Sequence, residues 1–407
     1  MQTLLLATRK GLFVLHGAGT DWTIAAHHFP GEPVTAVLAD ARDGAWTAAL
    51  RLGHFGVKLH RSTDRGQTWQ EVAAPAFPPK PTEGPWADDT TPWSVDLIWA
   101  LAAGGPDQPG TLWAGCIPAG LFRSDDAGAS WSLNTPLWEQ PGRRDWMGGG
   151  YDHAGIHSIV VDPRDSRHVT LAVSCGGVWQ TRDGGESWTL TASGMKADYL
   201  PPENADDGNA QDPHCMVQCA ANPDVLWLQH HCGIYHSDDG GQRWIGITAP
   251  VPSGFGFAVA CDPHNPQRAW FVPAQTDACR IPVDGRMVVN RTDDGGARFQ
   301  TFSSGLPQSH AYHLVYRHGL DVSADGQTLA MASTTSRSMT SPDSRSFLER
   351  ARRICSRMSS ALRSERFFVA WSLPISFAPT NSCHAAKFSR FPSSCFLGAS
   401  GKRLRAS

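Results

Sequence analysis

Histidines and carboxylates gather in six short segments: LGHFG, YDHAGIH, QDPHC, QHHCG, CRIPVDG and SHAYH. Imidazoles can act as general acids or bases, and two carboxylates facing one cleft could hydrolyse a glycosidic bond. Asp152 and Asp212 are therefore the candidate catalytic carboxylates. The candidate ligand-binding residues from the same segments are His54, Tyr151, His153, His157, His214, His230, His231, Arg280, His310 and His313.

The spacing of these residues does not indicate a metal site. His153 and His157 would share a face only on a helix, and the ten cysteines include no CxxC pair. We therefore expect neither a bound metal nor a cofactor. Scattered cysteines of this kind favour reduced thiols, as in the cytoplasm, and a cytoplasmic location is the expectation.

A repeated turn sets the positions of these segments. The octapeptide STDRGQTW at 62–69 recurs as SDDAGASW, TRDGGESW, SDDGGQRW and TDDGGARF. Their aromatic residues are separated by 62, 57, 56 and 55 residues, which is enough for four strands in each repeat. With 40 Gly, 29 Pro and 18% charged residues, the pattern predicts short strands joined by turns.

The repeated aspartates are predicted to be structural. An aspartate can accept hydrogen bonds from its own turn, and the glycine two positions later can adopt positive φ. Five equivalent copies also argue against a catalytic role, which needs a residue once. The predicted structural aspartates are Asp64, Asp126, Asp183, Asp239 and Asp294.

With weaker units at 4–22 and 329–347, the repeats predict an all-β propeller. Seven blades with an incomplete last blade are expected, and six blades are the alternative. The repeated turns join the third and fourth strands. The candidate segments lie in loops that enter first strands or join second and third strands. These loops share the opposite face, which we call the channel face.

The S/T-x-D-x-G-x-x-W/F turns resemble the Asp boxes, or BNR repeats, of sialidases, sortilins and related propellers. Through stretches such as ATRKGLFVL and GGGYDHAGIHS, residues 1–347 are similar to bacterial WD40/YVTN/BNR-like proteins described as exo-sialidase-like glycosyl hydrolases. The resemblance implies the fold, and glycoside hydrolysis as an activity. Sialidases also use three arginines and a Tyr–Glu pair, which this chain does not match, so sialidase activity is not expected.

Residues after 347 differ in composition from the repeats. Residues 336–407 contain 13 basic and 3 acidic side chains, whereas residues 1–335 contain 22 and 35. We expect a propeller over 1–347 and an aberrant, basic Ser/Arg-rich tail over 348–407. This tail would be disordered or the product of a reading-frame shift.

Three functions fit the sequence. The first is a ligand-binding or scaffold propeller that holds a small molecule, a glycan or a protein at the channel face. The second is a glycoside hydrolase that uses channel-face carboxylates, and the third is an assembly factor that binds proteins on its rim. No segment predicts membrane insertion or specific nucleic-acid binding.

Overall fold

The computed structural model describes residues 2–19, 21–148, 150–248 and 250–334, and the backbone of 366–371. The rest of the predicted tail lies outside the described residues. Helix is scarce in the described part: one short α-helix, α1, and five 3-10 helices. These are α1 (Thr135–Trp138) and Gly53–Phe55, Pro141–Asp145, Pro202–Asn204, Gly208–Ala210 and Val283–Gly285.

The strands form seven sheets, five of them with four strands. The first three sheets contain β1 (Gln2–Thr8), β2 (Gly11–Ala18) and β3 (Asp21–His28); β4 (Val34–Ala39), β5 (Trp46–Arg51), β6 (Val57–Ser62) and β7 (Gln70–Val72); and β8 (Leu97–Ala103), β9 (Leu112–Ile117), β10 (Leu121–Ser124) and β11 (Ser132–Leu133). The next three contain β12 (Ile156–Val161), β13 (Val169–Val173), β14 (Gly177–Thr181) and β15 (Thr189–Leu190); β16 (Pro213–Cys219), β17 (Asn222–His230), β18 (Gly233–Ser237) and β19 (Ile245–Ile247); and β20 (Gly256–Cys261), β21 (Ala269–Pro273), β22 (Val289–Thr292) and β23 (Gln300–Phe302). The last contains β24 (Leu320–Val322), β25 (Thr328–Ser333) and β26 (Arg366–Trp371).

The first strands of successive sheets contact one another in chain order, from β1 through β24. The Gln2 side chain then joins β1 to the last sheet, where it donates to Asp325 and accepts from Thr328. Leu15 and Trp22 of the first sheet also pack with Ala332. These contacts form the all-β propeller predicted from the repeats.

Six of the sheets are antiparallel ladders of consecutive strands, which makes six regular blades. The last sheet differs, because β24 and β25 are antiparallel but β26 joins β25 in parallel. The expected count of seven blades is therefore partly off, because the last sheet is not a regular blade over the residues that the structure describes. The alternative of six blades fits the regular sheets.

The repeated turns, here called Asp-box turns, have the predicted hydrogen bonds. In the first, Asp64 Oδ1 accepts from the Ser62 hydroxyl and from the Thr68 amide at 2.7 and 2.9 Å. The Ser62 oxygen accepts from the Gly66 amide at 2.7 Å. In the other four turns the aspartate likewise accepts from a serine or threonine hydroxyl and from a backbone amide. These aspartates are Asp126, Asp183, Asp239 and Asp294.

The Asp-box tryptophans also fasten neighbouring blades together. Trp131 donates its indole N–H to the Ala73 carbonyl, Trp188 to Asn134 Oδ1 and Trp244 to the Thr191 carbonyl, at 2.8 to 3.0 Å. Each acceptor follows the outer strand of the preceding blade. The Asp-box turns are therefore structural staples within blades and between them.

Candidate functional site

The site begins with a β-bulge near the start of the first strand in five consecutive blades. Antiparallel pairing shifts by one residue there in β4, β8, β12, β16 and β20. A bulge re-aims the side chain of the extra residue, and bulges are common beside active sites. The residue at the shifted position is Thr35, Trp99, His157 or His214 in the first four strands, and in β20 the shift spans Phe257 and Ala258.

Three of these bulge residues form a hydrogen bond to the next blade. Thr35 donates its hydroxyl to the Ile98 carbonyl, just before Trp99, at 2.8 Å. A ring nitrogen of His157 lies 2.8 Å from the Pro213 carbonyl, and one of His214 lies 2.6 Å from the Gly256 carbonyl. A carbonyl can only accept, so both imidazoles donate. Trp99 instead packs edge-on against the His157 ring, so the bulge residues form a series of contacts along the channel face.

Asp212 lies at the centre of this series. Its side chain is 3% exposed, and its Oδ2 is 3.4 Å from His214 Nε2 and 3.3 Å from His231 Nδ1. The Cys175 amide donates to Oδ1 at 3.1 Å. Asp212, His214 and His231, three of the residues proposed from the sequence, lie together in one cluster.

His230 supports the same cluster from below. This fully buried ring faces the backbone amides of Asp212 and Cys232 at 3.1 and 3.0 Å. Burial lowers its pKa to about 3. His230 is therefore a neutral support for the Asp212 loop at neutral pH.

Arg317 was not predicted from the sequence. Its buried guanidinium lies beside the Trp99 and Phe257 rings. Its Cζ atom is 4.5 Å from the Trp99 ring centroid and 5.7 Å from that of Phe257. Its Nε and Nη2 atoms have no hydrogen-bond partner. A buried arginine with free donors is suited to bind an anionic or oxygen-rich group.

The charges of the cluster act on one another. Burial alone would raise the pKa of Asp212, but His214, His231 and Arg317 outweigh it and hold that pKa well below its usual range. Burial lowers the pKa of His214, although Asp212 acts in the opposite direction. The site at neutral pH therefore contains the ionised carboxylate of Asp212, the neutral imidazole of His214 and one buried guanidinium.

Aromatic rings surround this polar centre. Phe255 lies 5.7 Å from His231 and 5.8 Å from His214, and Tyr199 lies 5.2 Å from His231, measured between ring centroids. On another side, Tyr151 is 42% exposed and packs edge-on against Trp99 at 5.3 Å. Exposed or half-buried rings beside polar groups suit the faces of sugars.

The predicted residues Arg280, Asp152 and His153 lie in loops rather than in the Asp212 cluster. The guanidinium of Arg280 pairs with Asp277 and lies 5.6 Å from the Phe257 ring, at the edge of the site. Asp152 is exposed in the loop before β12, next to Tyr151. His153 is half-buried in the same loop.

Three predicted histidines are not joined to Asp212 by any hydrogen bond or ring contact among the described residues. His54 is exposed and packs on Phe55 at 3.8 Å. His310 is exposed with φ of 52°. A ring nitrogen of His313 lies 3.0 Å from the Thr334 carbonyl, which fastens its loop to β25.

The missed residues had a signal in the sequence. When RHGLDV is aligned with IHSIVV, His318 takes the place of His157. His318 Nε2 donates to the His157 carbonyl at 2.7 Å, so the segment before β24 contacts β12 of another blade. Aligning the starts of all first strands would have revealed His318, Arg317 and Trp99.

No helix in the described part of the chain is long and apolar enough to cross a membrane.

Comparison with known proteins gives distant similarity to glycan-cleaving enzymes. No family model matches the chain. It is 25% identical over 202 residues to an oligoxyloglucan-reducing end-specific xyloglucanase of Emericella nidulans, covering 42% of this chain and 24% of that enzyme. It is 26% identical over 221 residues to a xyloglucanase of Paenibacillus sp., covering 48% and 19%. The chain thus spans about a quarter or less of these relatives.

Solved structures with a similar fold include two GH74 enzymes. The GH74 xyloglucanase of Xanthomonas campestris has a TM-score of 0.52 at 19% identity, covering 74% of this chain and 43% of that one. The GH74 enzyme of Niastella koreensis has a TM-score of 0.51 at 18% identity, covering 75% and 43%. At this level of identity the similarity concerns the fold. The chain is therefore an all-β propeller with the fold of GH74 enzymes and distant similarity to xyloglucanases.

Proposed function

We propose that this protein is a glycoside hydrolase that binds a glycan over the channel face. The observation that carries the proposal is the buried, ionised Asp212 beneath a surround of aromatic rings. The similarity to two xyloglucanases supports xyloglucan or its oligosaccharides as the substrate. This favours hydrolysis over the ligand-binding module, which was the first expectation from the sequence.

Hydrolysis of a glycosidic bond needs two carboxyl groups with different roles. Asp212 stays ionised at neutral pH, so it is suited to activate a water molecule or stabilise positive charge on the sugar ring. It is not suited to donate a proton. The proton donor must be another group on the same face.

Asp152 is the proposed proton donor. It neighbours Tyr151, whose ring packs on Trp99 in the wall of the site. Asp321 is another carboxylate of an inner strand, but it lies in β24 three residues beyond His318. This places it roughly 10 Å further along an inner strand, so Asp152 is the better candidate.

Arg317 has the role of holding the glycan. Its free N–H donors can bind hydroxyl or carboxylate oxygens while Trp99 and Phe257 fix the guanidinium plane. We expect Arg317→Met to raise the KM more than it lowers the kcat. A residue that supported only the fold would change neither once folding was corrected for.

The test is a panel of aryl glycosides and xyloglucan oligosaccharides, with released sugar as the readout. Wild type should cleave at least one substrate, and Asp152→Asn should cleave it at least about 100-fold more slowly while remaining folded. Aryl glycosides with good leaving groups should restore part of that loss, because they need little protonation. Binding without cleavage by wild type would overturn the proposal in favour of a ligand-binding module.

The cytoplasmic location and the absence of a membrane or nucleic-acid partner stay predictions from the sequence. A glycan is the proposed ligand.

A further inference from the structure

We propose that Asp212, His214 and His231 bind one divalent transition-metal ion, with zinc as the best fit. The proposal goes beyond the proposed function but shares Asp212 with it: a bound ion would occupy the carboxylate oxygen that could otherwise face the sugar or its water. Their ligand atoms all lie within 4.8 Å of one another. It also departs from the sequence, whose spacing predicted no metal site, because the antiparallel pairing of β16 with β17 brings the three residues together.

The distances fit a shared ion better than direct hydrogen bonds. Charge-assisted N–H···O bonds are usually about 2.7 to 2.9 Å long, whereas Asp212 Oδ2 is 3.4 and 3.3 Å from the two imidazole nitrogens. Ligands at about 2.0 to 2.1 Å from a tetrahedral zinc ion are separated by roughly 3.3 to 3.4 Å. The two measured edges match that separation.

The hydrogen bonds behind the ligands have the arrangement expected of a metal site. His214 Nδ1 bonds to the Gly256 carbonyl, which leaves Nε2, the ring atom nearest Asp212, in position to be the metal ligand. The Cys175 amide similarly orients Asp212 through Oδ1. Such outer partners fix the direction of metal ligands.

One side of the cluster is open. His231 is 23% exposed, whereas His214 is 1% exposed. Three protein ligands and an accessible side are typical of catalytic zinc sites, in which water or substrate takes the fourth position. Arg317 adds positive charge near Asp212 and would favour an anionic fourth ligand.

The experiment is metal titration of the full chain, purified without a histidine tag and treated with a chelator. We expect one equivalent of zinc per chain in competition with a chromophoric chelator. Cobalt(II) should give visible d–d absorption and no sulfur-to-metal charge transfer. The second readout matters because the described residues include seven free cysteines that could bind metal elsewhere.

Variants locate the site. Asp212→Asn and His231→Gln should each weaken zinc binding at least about 100-fold, a loss at the upper end of that seen for outer partners of metal ligands. His264→Gln and Asp183→Asn are matched controls on the opposite face and should leave binding unchanged. Arg317→Met should strengthen binding, because it removes a neighbouring positive charge.

The proposal fails if wild type binds less than one equivalent, or if His231→Gln binds zinc as wild type does. Cobalt spectra dominated by sulfur charge transfer would also overturn it. His231 is the most exposed ligand, so its variant is the least prone to misfold, and the wild-type cobalt spectrum needs no variant. Metal titration uses no glycan, and its outcome is therefore separate from that of the hydrolase assay.

Discussion

The two faces of the propeller use aspartate in opposite ways. On one face, five Asp-box turns repeat the same hydrogen bonds, with the carboxylates near solvent. On the channel face, Asp212 is 3% exposed and is surrounded by partners from several blades. Repetition thus marks the structural face, and divergence at equivalent positions marks the candidate site.

The bulge positions show that divergence most clearly. The same place in consecutive first strands holds Thr35, Trp99, His157, His214 and Phe257. The backbone irregularity is kept, while the side chain differs between most blades and is histidine in two of them. One repeated scaffold can therefore present four types of side chain to a shared channel mouth.

The largest contrast should come from removing the charge of one aspartate on each face. Asp212→Asn should lower glycan turnover at least about 100-fold, because it removes the ionised carboxylate at the centre of the proposed site. Asp183→Asn should leave turnover within about twofold of wild type. Initial rates on the best substrate, normalised to folded protein, give the comparison. Equal losses in the two variants would remove the distinction between the faces.

A glycine of the structural face should affect stability without affecting the site. Gly185 has φ of 100°, and an added Cβ would lie 2.6 Å from Asn134 Nδ2. We expect Gly185→Ala to lower the free energy of unfolding by about 2 kcal/mol, since positive φ and crowding both oppose a side chain. Urea unfolding measures this loss. The KM of the remaining folded enzyme should be unchanged, and a raised KM would link this face to the site.

The faces should also respond to acid in different pH ranges. Burial lowers the pKa of His157 well below 6.5, so the unfolded chain gains a proton as pH falls below about 6.5 while the folded chain does not. Stability therefore decreases in this range. His157→Gln should reduce the slope by up to about 1.4 kcal/mol per pH unit. Urea midpoints between pH 7 and 5 check this, and an unchanged slope would mean that His157 is protonated in the fold.

The Asp-box turns should respond only at lower pH, with the smallest effect. Hydrogen bonds from Thr68 and Ser62 lower the pKa of Asp64 to about 2. The stability from this shift is present above the unfolded pKa of about 3.9 and is lost as pH falls towards 2. Asp64→Asn should flatten the unfolding curve between pH 4 and 2 and leave it unchanged from pH 5 to 7. A change in the upper range would contradict the assignment.

The sequence was sufficient to predict the fold but only part of the site. The Asp-box period revealed the blades because each copy satisfies the same local hydrogen bonds, and local chemistry is visible in sequence. The site depends on blades that meet across the channel, so the contact of Arg317 with both Trp99 and Phe257 could not be predicted. The pairing of Asp212 with His214 and His231 was missed for a related reason. The strand β17 separates His214 from His231 in sequence, and only the bulge and the loop after β17 bring them together.

The most direct test of the contrast between the faces is backbone hydrogen exchange of wild type with and without xyloglucan oligosaccharides. Exchange should slow at the bulges and loops around His157, Asp212, His231 and Phe257. It should be unchanged at the Asp-box turns. Protection at the Asp-box turns, with none around Asp212, would contradict the account.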